Sequence, residues 1–161
     1  MAAPTPTAPQ APSGRKLGDG YRTSITLSLA PTIALWVKSV TPPGLEGDEP
    51  NDTTTMENDK YRTKSPRALQ TMTDMTYTCA WDPIVYSTID DYINISQTIT
   101  ITFPDRSTVC FYGIVRSFMP GELVEGTQPE ATVTITPTNQ DPTTCEEEGP
   151  VYTAGTGTAP C

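Results

Sequence analysis

The sequence predicts a mainly β domain, an antiparallel β-sandwich or partly open barrel with one short α-helix and a long inter-strand loop. The first observation behind this prediction is that apolar residues alternate with serine or threonine over several short segments. The second is that prolines and glycines separate these segments. The third is composition, since the 161 residues include 17 prolines and 29 threonines, and threonine is a β-branched residue suited to strands.

Large apolar residues are concentrated in the middle of the chain. Residues 1–20 are rich in proline and alanine, residues 139–161 are acidic, and neither segment has enough apolar side chains for a core. We therefore expect a Pro-rich flexible N-terminal arm (1–20), one β-sandwich domain (21–138) and a flexible acidic C-terminal tail (139–161). The N-terminus lacks the pattern of a secretory signal and no apolar stretch is long enough to span a bilayer, so we expect no export and no membrane.

The composition excludes several classes of function. The chain has no histidine, which excludes Ser-His and Cys-His nucleophile pairs and histidine-containing zinc sites. Its four cysteines form no CxxC pair, and its net charge of −9 argues against gripping nucleic acid phosphates. The carboxylates that an enzyme would need show no glycosidase-specific spacing, so we expect no enzyme, no metal and no cofactor. These carboxylates are Asp74, Asp82, Asp90 and Asp91.

The first strand is predicted from residue 21, with Ile25, Leu27 and Leu29 on one face, and the second over Thr32–Val40. Residues 41–67 then form a long loop without predicted structure, in which an acidic half precedes a basic half. This loop is either a solvated excursion or a contact with another subunit, because opposite charges can pair across an interface. Its charged residues are Glu46, Asp48, Glu49, Asp52, Lys60, Arg62, Lys64 and Arg67.

Five further elements follow the loop. A strand is predicted over Gln70–Cys79 and a helix over Pro83–Ile93, where proline suits a first helical turn. The clearest hairpin joins a strand over Gln97–Phe103 to a strand over Thr108–Phe118. A last strand is predicted over Ala131–Thr138.

Threonines occupy the strand face opposite the apolar residues. Such a face is polar, uncharged and compatible with strands, so it is either an ordinary solvent face or a surface that must stay wet and non-adhesive. The candidate residues of this face are Thr98, Thr100, Thr102, Thr132 and Thr134.

The cysteines divide into two pairs. Cys79 and Cys110 lie in predicted strands, and we expect both to be buried thiols. Cys145 and Cys161 bracket the tail, where a disulfide between them is an open alternative.

The order of these motifs resembles the major tail tube protein of long-tailed, siphovirus-type bacteriophages. The resemblance covers about residues 20–138 and is carried by the hairpin TFPDRSTVCFYGIV (102–115), by Asp52-Thr53-Thr54 and by Trp81-Asp82-Pro83. One departure is Pro104-Asp105-Arg106, where such proteins often have Pro-Asp-Gly.

The resemblance implies a structural virion protein that forms hexameric rings stacked into a tail tube, a conduit for double-stranded DNA during ejection. Its implied partners are copies of itself, the tape measure, tail terminator and distal tail proteins, and passing DNA that is not specifically bound. It also implies a place in the phage tail after assembly in the host cytoplasm. On this basis we expect the threonine face to line the lumen and the loop 41–67 to bridge rings.

A second function remains open from the residues. A β-sandwich of this kind is also typical of a recognition module on a virion or cell surface that binds a receptor or glycan through its loops. Exposed loop aromatics such as Tyr61, Trp81 and Tyr152 would favour this alternative.

Overall fold

Antiparallel β-structure dominates the computed structural model, which describes residues 22–32 and 35–155. Seven strands form one open sheet in the order β1-β8-β9-β10-β7-β2, with β11 paired to β9, and two small sheets pair β3 with β6 and β4 with β5. The predicted fold class is therefore confirmed, with an open sheet rather than a closed barrel. The elements are β1 Ser24–Leu27, β2 Val37–Thr41, β3 Leu45–Gly47, β4 Asn51–Asp52, β5 Lys64–Ser65, β6 Gln70–Met72, β7 Met75–Ala80, α1 Pro83–Asp90, β8 Ser96–Thr102, β9 Thr108–Pro120, β10 Glu130–Pro137 and β11 Val151–Thr153.

One face of the large sheet carries the hydrophobic core. In β8, Ile99 and Ile101 are buried while the threonines between and beside them are not, as the period of two predicts. The same alternation buries the apolar residues of β7 and β10. The largest fully buried side chains are Tyr77, Leu27, Met75, Ile89, Ile99, Ile101, Ile135, Val115, Val133 and Cys79.

Strand β9 is shared by three partners along its 13 residues. Its first half pairs with β8 and, near the start, also with β11, while its second half pairs with β10. Gly113 lies where the two longer pairings overlap, opposite both Gln97 and Pro137. A Cβ there would lie 3.0 Å from Ile99 Cδ1 and 3.1 Å from the Thr136 carbonyl oxygen, so a side chain fits only if these neighbours shift by a few tenths of an ångström.

Helix α1 begins at a capped turn. The Asp82 carboxylate accepts a hydrogen bond from the Ile84 N–H (2.9 Å), and Pro83 occupies the first turn. Val85 and Ile89 are buried against the sheet. The predicted helix is confirmed, although it ends at Asp90 rather than at Ile93.

The first two strands are shorter than predicted. Strand β1 ends at Leu27, and Leu29, predicted on the core face, is 42% exposed because its N–H leaves the ladder for the Gln97 side chain (N to Oε1 3.2 Å). Strand β2 begins at Val37 rather than at Thr32.

The predicted strand Gln70–Cys79 is interrupted after Met72. At this break Thr73 is hydrogen-bonded to Gly44. The Thr73 N–H donates to the Gly44 carbonyl (2.9 Å), and the Gly44 N–H donates to the Thr73 hydroxyl (2.8 Å). Residues after this break keep the predicted alternation, with Tyr77 buried among the core residues.

The acidic tail is structured over its described part. Strand β11 pairs with the edge of β9, Thr153 opposite Thr108, and Gly155 lies directly against the Asp105 carbonyl oxygen of the β8–β9 turn. A flexible tail was predicted because only Val151 and Tyr152 are large apolar residues here. The pairing uses backbone hydrogen bonds, which composition does not reveal.

The cysteine predictions are partly wrong. Cys145 is an exposed free thiol held in a turn by its N–H bond to the Asp141 carbonyl (2.9 Å), so it forms no disulfide with Cys161, which lies outside the described residues. Cys110 is buried as predicted but is disulfide-bonded. Cys79 is the buried thiol that was predicted, and burial raises its pKa.

The β8–β9 turn closes without glycine. The Arg106 N–H donates to the Phe103 carbonyl (2.9 Å), and the Phe103 N–H donates to the Ser107 carbonyl (2.9 Å). Arg106 adopts a φ of 64°, the left-handed region that favours glycine, and this costs roughly 1–2 kcal/mol for other residues. The departure from Pro-Asp-Gly therefore keeps the tight turn at an energetic cost.

We expect Arg106→Gly to raise the free energy of unfolding by about 0.5–1 kcal/mol, because glycine adopts positive φ without strain but orders at a larger entropic cost. Chemical denaturation measures the change. Arg106→Ala is the control, since it removes the charge and keeps the strain. An equal gain in both variants would contradict the strain explanation.

We expect Gly113→Ala to lower the free energy of unfolding by about 1–3 kcal/mol, because the new methyl group has no space between β8 and β10. Gly149→Ala is the matched control, since a Cβ at Gly149 meets nothing within 4 Å. Urea unfolding of both variants distinguishes crowding from a general effect of replacing glycine. Equal stability of the two variants would show that the sheet relaxes around Gly113.

Candidate assembly surfaces

The predicted loop 41–67 is a two-stranded arm. Strands β3 and β6 pair at its base and β4 and β5 pair further out, with Asp52 opposite Lys64. From residue 49 to residue 71 every residue is exposed except Asn58, which is half-buried. We call residues 45–71 the arm; the sequence predicts a long inter-strand loop here but not its short strands.

Hydrogen bonds within the tip hold the arm's shape. The Asn58 carboxamide accepts from the Thr55 N–H (2.8 Å) and donates to the Tyr61 carbonyl (3.0 Å). The Thr53 N–H donates to the Thr63 carbonyl (2.9 Å), which continues the pairing beyond β4. Bonds from Thr54 lower the pKa of the Asp52 carboxyl. The tip is therefore organised by its own polar groups rather than by packing on the sheet.

The acidic and basic halves of the arm pair with each other. Arg62 lies 3.8 Å from Asp52 and Arg67 lies 3.8 Å from Asp48, in both cases between guanidinium nitrogen and carboxylate oxygen. Lys60 lies over the Tyr61 ring, 5.6 Å from its centroid. Four of the eight charged residues of the predicted loop are thus paired within one chain. Glu46 and Glu49 also lie on the arm and are exposed.

Large apolar side chains on the arm are unusually exposed. Met56 at the tip is fully exposed at 105%, and Tyr61 is 74% exposed. Leu45 and Leu69 near the base are 60% and 69% exposed. A segment that presents these side chains to solvent is typical of a contact surface.

The threonine side chains predicted to form one face lie in two separate patches. Thr132 and Thr134 of β10 lie beside Thr78 and Thr76 of β7 in the register of the sheet. Ser39 of β2 extends this patch, with its hydroxyl 2.6 Å from that of Thr78. We call these five residues the β10 patch; none of them belongs to the buried core.

The second patch lies at the other end of β9. Thr98, Thr100 and Thr102 of β8 lie on the face opposite the core, and Ser24 and Thr26 of β1 lie opposite Thr102 and Thr100. We call these five residues the β8 patch. The C-terminal segment borders it: a cleft of about 250 Å³ is lined by Thr98, Cys110, Phe111, Tyr112, Glu148, Gly149 and Val151.

Acidic side chains of the C-terminal segment lie near Tyr112. Partial desolvation, followed by the charges of Asp141 and Glu148, raises the pKa of the Tyr112 hydroxyl. Bonds from the Thr143 and Thr144 N–H groups lower the pKa of Asp141. The border of the β8 patch is therefore negatively charged.

Two cations interrupt the strands beside the β10 patch, and each has an acidic partner. Lys38 lies at a register shift in β2, with its ammonium 2.8 Å from Glu130. Arg116 lies at a register shift in β9, with its guanidinium 3.6 Å from Asp74. Both bulges thus place a basic residue near the patch without leaving a free positive charge.

The two edge strands of the large sheet, β1 and β2, have one open side each within the described ranges. A groove of about 860 Å³ runs along β2 and is lined by Arg22, Thr23, Trp36, Val37, Lys38, Ser39 and Val40. Trp36 is 65% exposed in this groove.

The carboxylates weighed for catalysis have local roles. Asp82 caps α1, Asp74 pairs with Arg116, and Asp91 ends the helix. Within residues 22–32 and 35–155, no cluster of three or more His, Cys, Asp or Glu side chains suits a metal ion. In the same ranges no helix has the length and apolar character needed to cross a membrane.

Comparison with known proteins identifies the fold. No family model and no curated protein sequence matches this chain. A chain of the six-fold symmetrised cryo-EM structure of the anti-feeding prophage (AFP) baseplate aligns with a TM-score of 0.56 and 8% identity, over 88% of this chain and 99% of that chain. A chain from the tail of the empty GTA particle, obtained by helical refinement with C6 symmetry, aligns with a TM-score of 0.60 and 11% identity, over 86% of this chain and 100% of that one. The chain has the fold of these two proteins.

Sequence reasoning located the five threonines and the eight charged loop residues, but it missed that the threonines form two patches and that the loop is a paired arm. It also missed Ser39, Thr76 and Thr78, whose alternation with core residues was the available signal.

Proposed function

We propose that this protein is a structural subunit of a phage-type tail and that six copies form a ring, with rings stacked into a tube that conducts double-stranded DNA. The observation that carries the proposal is the pair of uncharged hydroxyl patches on a sheet with two open edges. The likeness of the fold to chains of the AFP baseplate and GTA tail supports it.

Hydroxyl patches suit the wall of a DNA conduit. Nucleic acid binding depends on lysine and arginine side chains that neutralise phosphates, and neither patch contains any. The cations beside the β10 patch, Lys38 and Arg116, are paired with carboxylates. A net charge of −9 adds repulsion over a Debye length of about 8 Å, so DNA would slide without being held.

Ring closure also fits the dimensions of DNA. If each subunit contributes about four strands, a ring has about 24 strands spaced roughly 4.8 Å apart and tilted by roughly 40°. The perimeter is then near 150 Å and the lumen near 40 Å after side chains, wide enough for a duplex of about 20 Å. Closure of the inner barrel would remove the exposed strand edges that an isolated sheet presents.

The arm is the proposed bridge between stacked rings. It is organised by its own hydrogen bonds, and its apolar tip at Met56 and Tyr61 is exposed in the isolated chain. Arg62 and Arg67 are paired with Asp52 and Asp48, and the exposed side chains at the tip are apolar, so the tip contact would be mainly apolar.

Electron microscopy of the purified full chain tests the function. The proposal expects rings or tubes of uniform width with six-fold symmetry, whereas particles that stay monomeric at high concentration would overturn it. The exposure of Tyr61 (74%) and Tyr152 (54%) also suits a recognition module that binds a receptor or glycan. That second function expects monomers with glycan or receptor binding that is lost in Tyr61→Ala.

We expect tubes of the double variant Thr132→Lys/Thr134→Lys to retain short duplex DNA at about 50 mM salt, with about tenfold more bound DNA than wild-type tubes and release at high salt. Filter binding of labelled duplex measures this. Thr127→Lys, in an exposed turn outside both patches, is the matched control. Equal retention by control and patch variants would place the β10 patch outside the lumen.

We expect Met56→Ser/Tyr61→Ser to raise the protein concentration needed for tube formation by about tenfold or more, because burying such side chains contributes roughly 1.5–3 kcal/mol each. The free energy of unfolding of the subunit should change by less than about 0.5 kcal/mol, since both side chains are exposed. Ile95→Ser, an exposed apolar residue outside the arm, is the control. Unchanged assembly of the arm variant would show that the tip makes no ring contact.

A further inference from the structure

The arm and the start of α1 lie at opposite ends of the strands β10, β7 and β2. The arm connects the end of β2 to the start of β7, where Thr41 lies opposite Thr76. Helix α1 follows the other end of β7, where Ala80 lies opposite Glu130 at the start of β10. The β9–β10 connection, residues 121–129, lies at this second end as well, which we call the α1 end. One subunit thus presents different surfaces at its two ends.

Apolar side chains of α1 are exposed at the α1 end. Ile84 in the first turn of the helix is 75% exposed, and Tyr86 is 44% exposed. The Tyr86 ring lies 5.3 Å from the Trp81 ring and 5.9 Å from the Phe118 ring, measured between centroids. Because Phe118 belongs to the hydrophobic core, this aromatic contact fixes Tyr86 on the body of the subunit.

The β9–β10 connection adds two apolar side chains to the same end. Leu123 and Val124 are 67% and 51% exposed. The Trp81 N–H donates to the Pro129 carbonyl (2.9 Å), which ties this connection to the start of α1. Exposed apolar side chains grouped in this way are typical of a contact surface. We call the four exposed residues the α1-end surface: Ile84, Tyr86, Leu123 and Val124.

Charge also favours a contact between the arm and the α1 end. Residues 81–91 and 121–130 contain six carboxylates and no lysine or arginine. On the arm, the Lys60 ammonium lies 5.6 Å from the centroid of the Tyr61 ring, and it takes part in none of the ion pairs between described residues. The arm carries carboxylates as well, so the attraction is confined to the surroundings of Lys60 and Tyr61.

We propose that the arm tip of each subunit, at Met56 and Tyr61, binds the α1-end surface of a subunit in the next ring. This inference rests on the proposed stacking of rings and names the surface that receives the arm. The contact joins two different surfaces at opposite ends of one chain, so each bound copy still presents a free arm or a free α1 end and the contact repeats from ring to ring. One tip buries much less than the roughly 1,600 Å² of a standard interface, but the six tips of a ring bind together.

Complementation between two variants tests the proposal. The arm variant is Met56→Ser/Tyr61→Ser and the surface variant is Ile84→Ser/Leu123→Ser, so each removes one half of the contact and keeps the other. We expect the surface variant to raise the protein concentration needed for stacking by about tenfold or more, as the arm variant does. Rings of the two variants are formed separately and mixed at a concentration at which neither stacks alone. Paired rings are expected in electron microscopy and sedimentation velocity, because the natural arms of one variant meet the natural surface of the other.

Met119→Ser is the matched control for the surface variant. Met119 is 64% exposed at the same end of the sheet, but it lies on the face opposite the core, beside Thr132 in the register. Rings of this variant should stack as those of the natural chain do. Since all replaced side chains are exposed, thermal unfolding of each variant should stay within about 2 °C of the natural midpoint.

Surface-variant rings that stack like natural rings would overturn this inference and leave the proposed function standing. Mixed rings that remain single would also overturn it, because the arm would then bind a different surface. A natural chain that forms no rings at all would overturn the proposed function, and this inference with it.

Discussion

The sharing of β9 by three strands is the constraint on which the rest of the structure depends. Strands β8, β10 and β11 are all placed by their register on β9, and β10 in turn places β7 and β2. At Gly113, where two pairings overlap, a side chain would crowd Ile99 and the Thr136 carbonyl oxygen. The two hydroxyl patches lie at opposite ends of β9 for the same reason, since β8 uses its first half and β10 its second.

The bulges in β2 and β9 each add a cation to the sheet while the core face stays apolar. The core face must stay apolar, and an added residue in each strand shifts the register without reversing the alternation beyond it. The residues at these shifts, Lys38 and Arg116, are long cations that reach Glu130 and Asp74. The β10 patch between Lys38 and Arg116 is polar and carries no charge. Because both cations are paired with carboxylates, this part of the sheet has no unpaired charge although the protein is acidic.

Period-two alternation made β8, β10 and the second half of the Gln70–Cys79 segment predictable, because burial on one face is a local property of the sequence. Pro83, which suits a first helical turn, made α1 predictable for a similar reason. Pairings of the arm and of β11 were not predictable, since these strands have only two or three residues each and depend on partners distant in the sequence. The break at Thr73 depends on Gly44, 29 residues away, which no window of sequence shows. For the candidate surfaces, residue types were predictable, whereas their division into patches followed from the register on β9.

The contact between Gly155 and the β8–β9 turn has a consequence for the order of folding. The turn joins strands that are neighbours in the sequence, so the hairpin closes a short loop at low entropic cost. Strand β11 pairs with residues more than 40 positions earlier, Thr153 with Thr108, and its last described residue lies on the finished turn. The binding position of β11 therefore does not exist until the hairpin has formed. The C-terminal segment is therefore a late-forming part of the sheet.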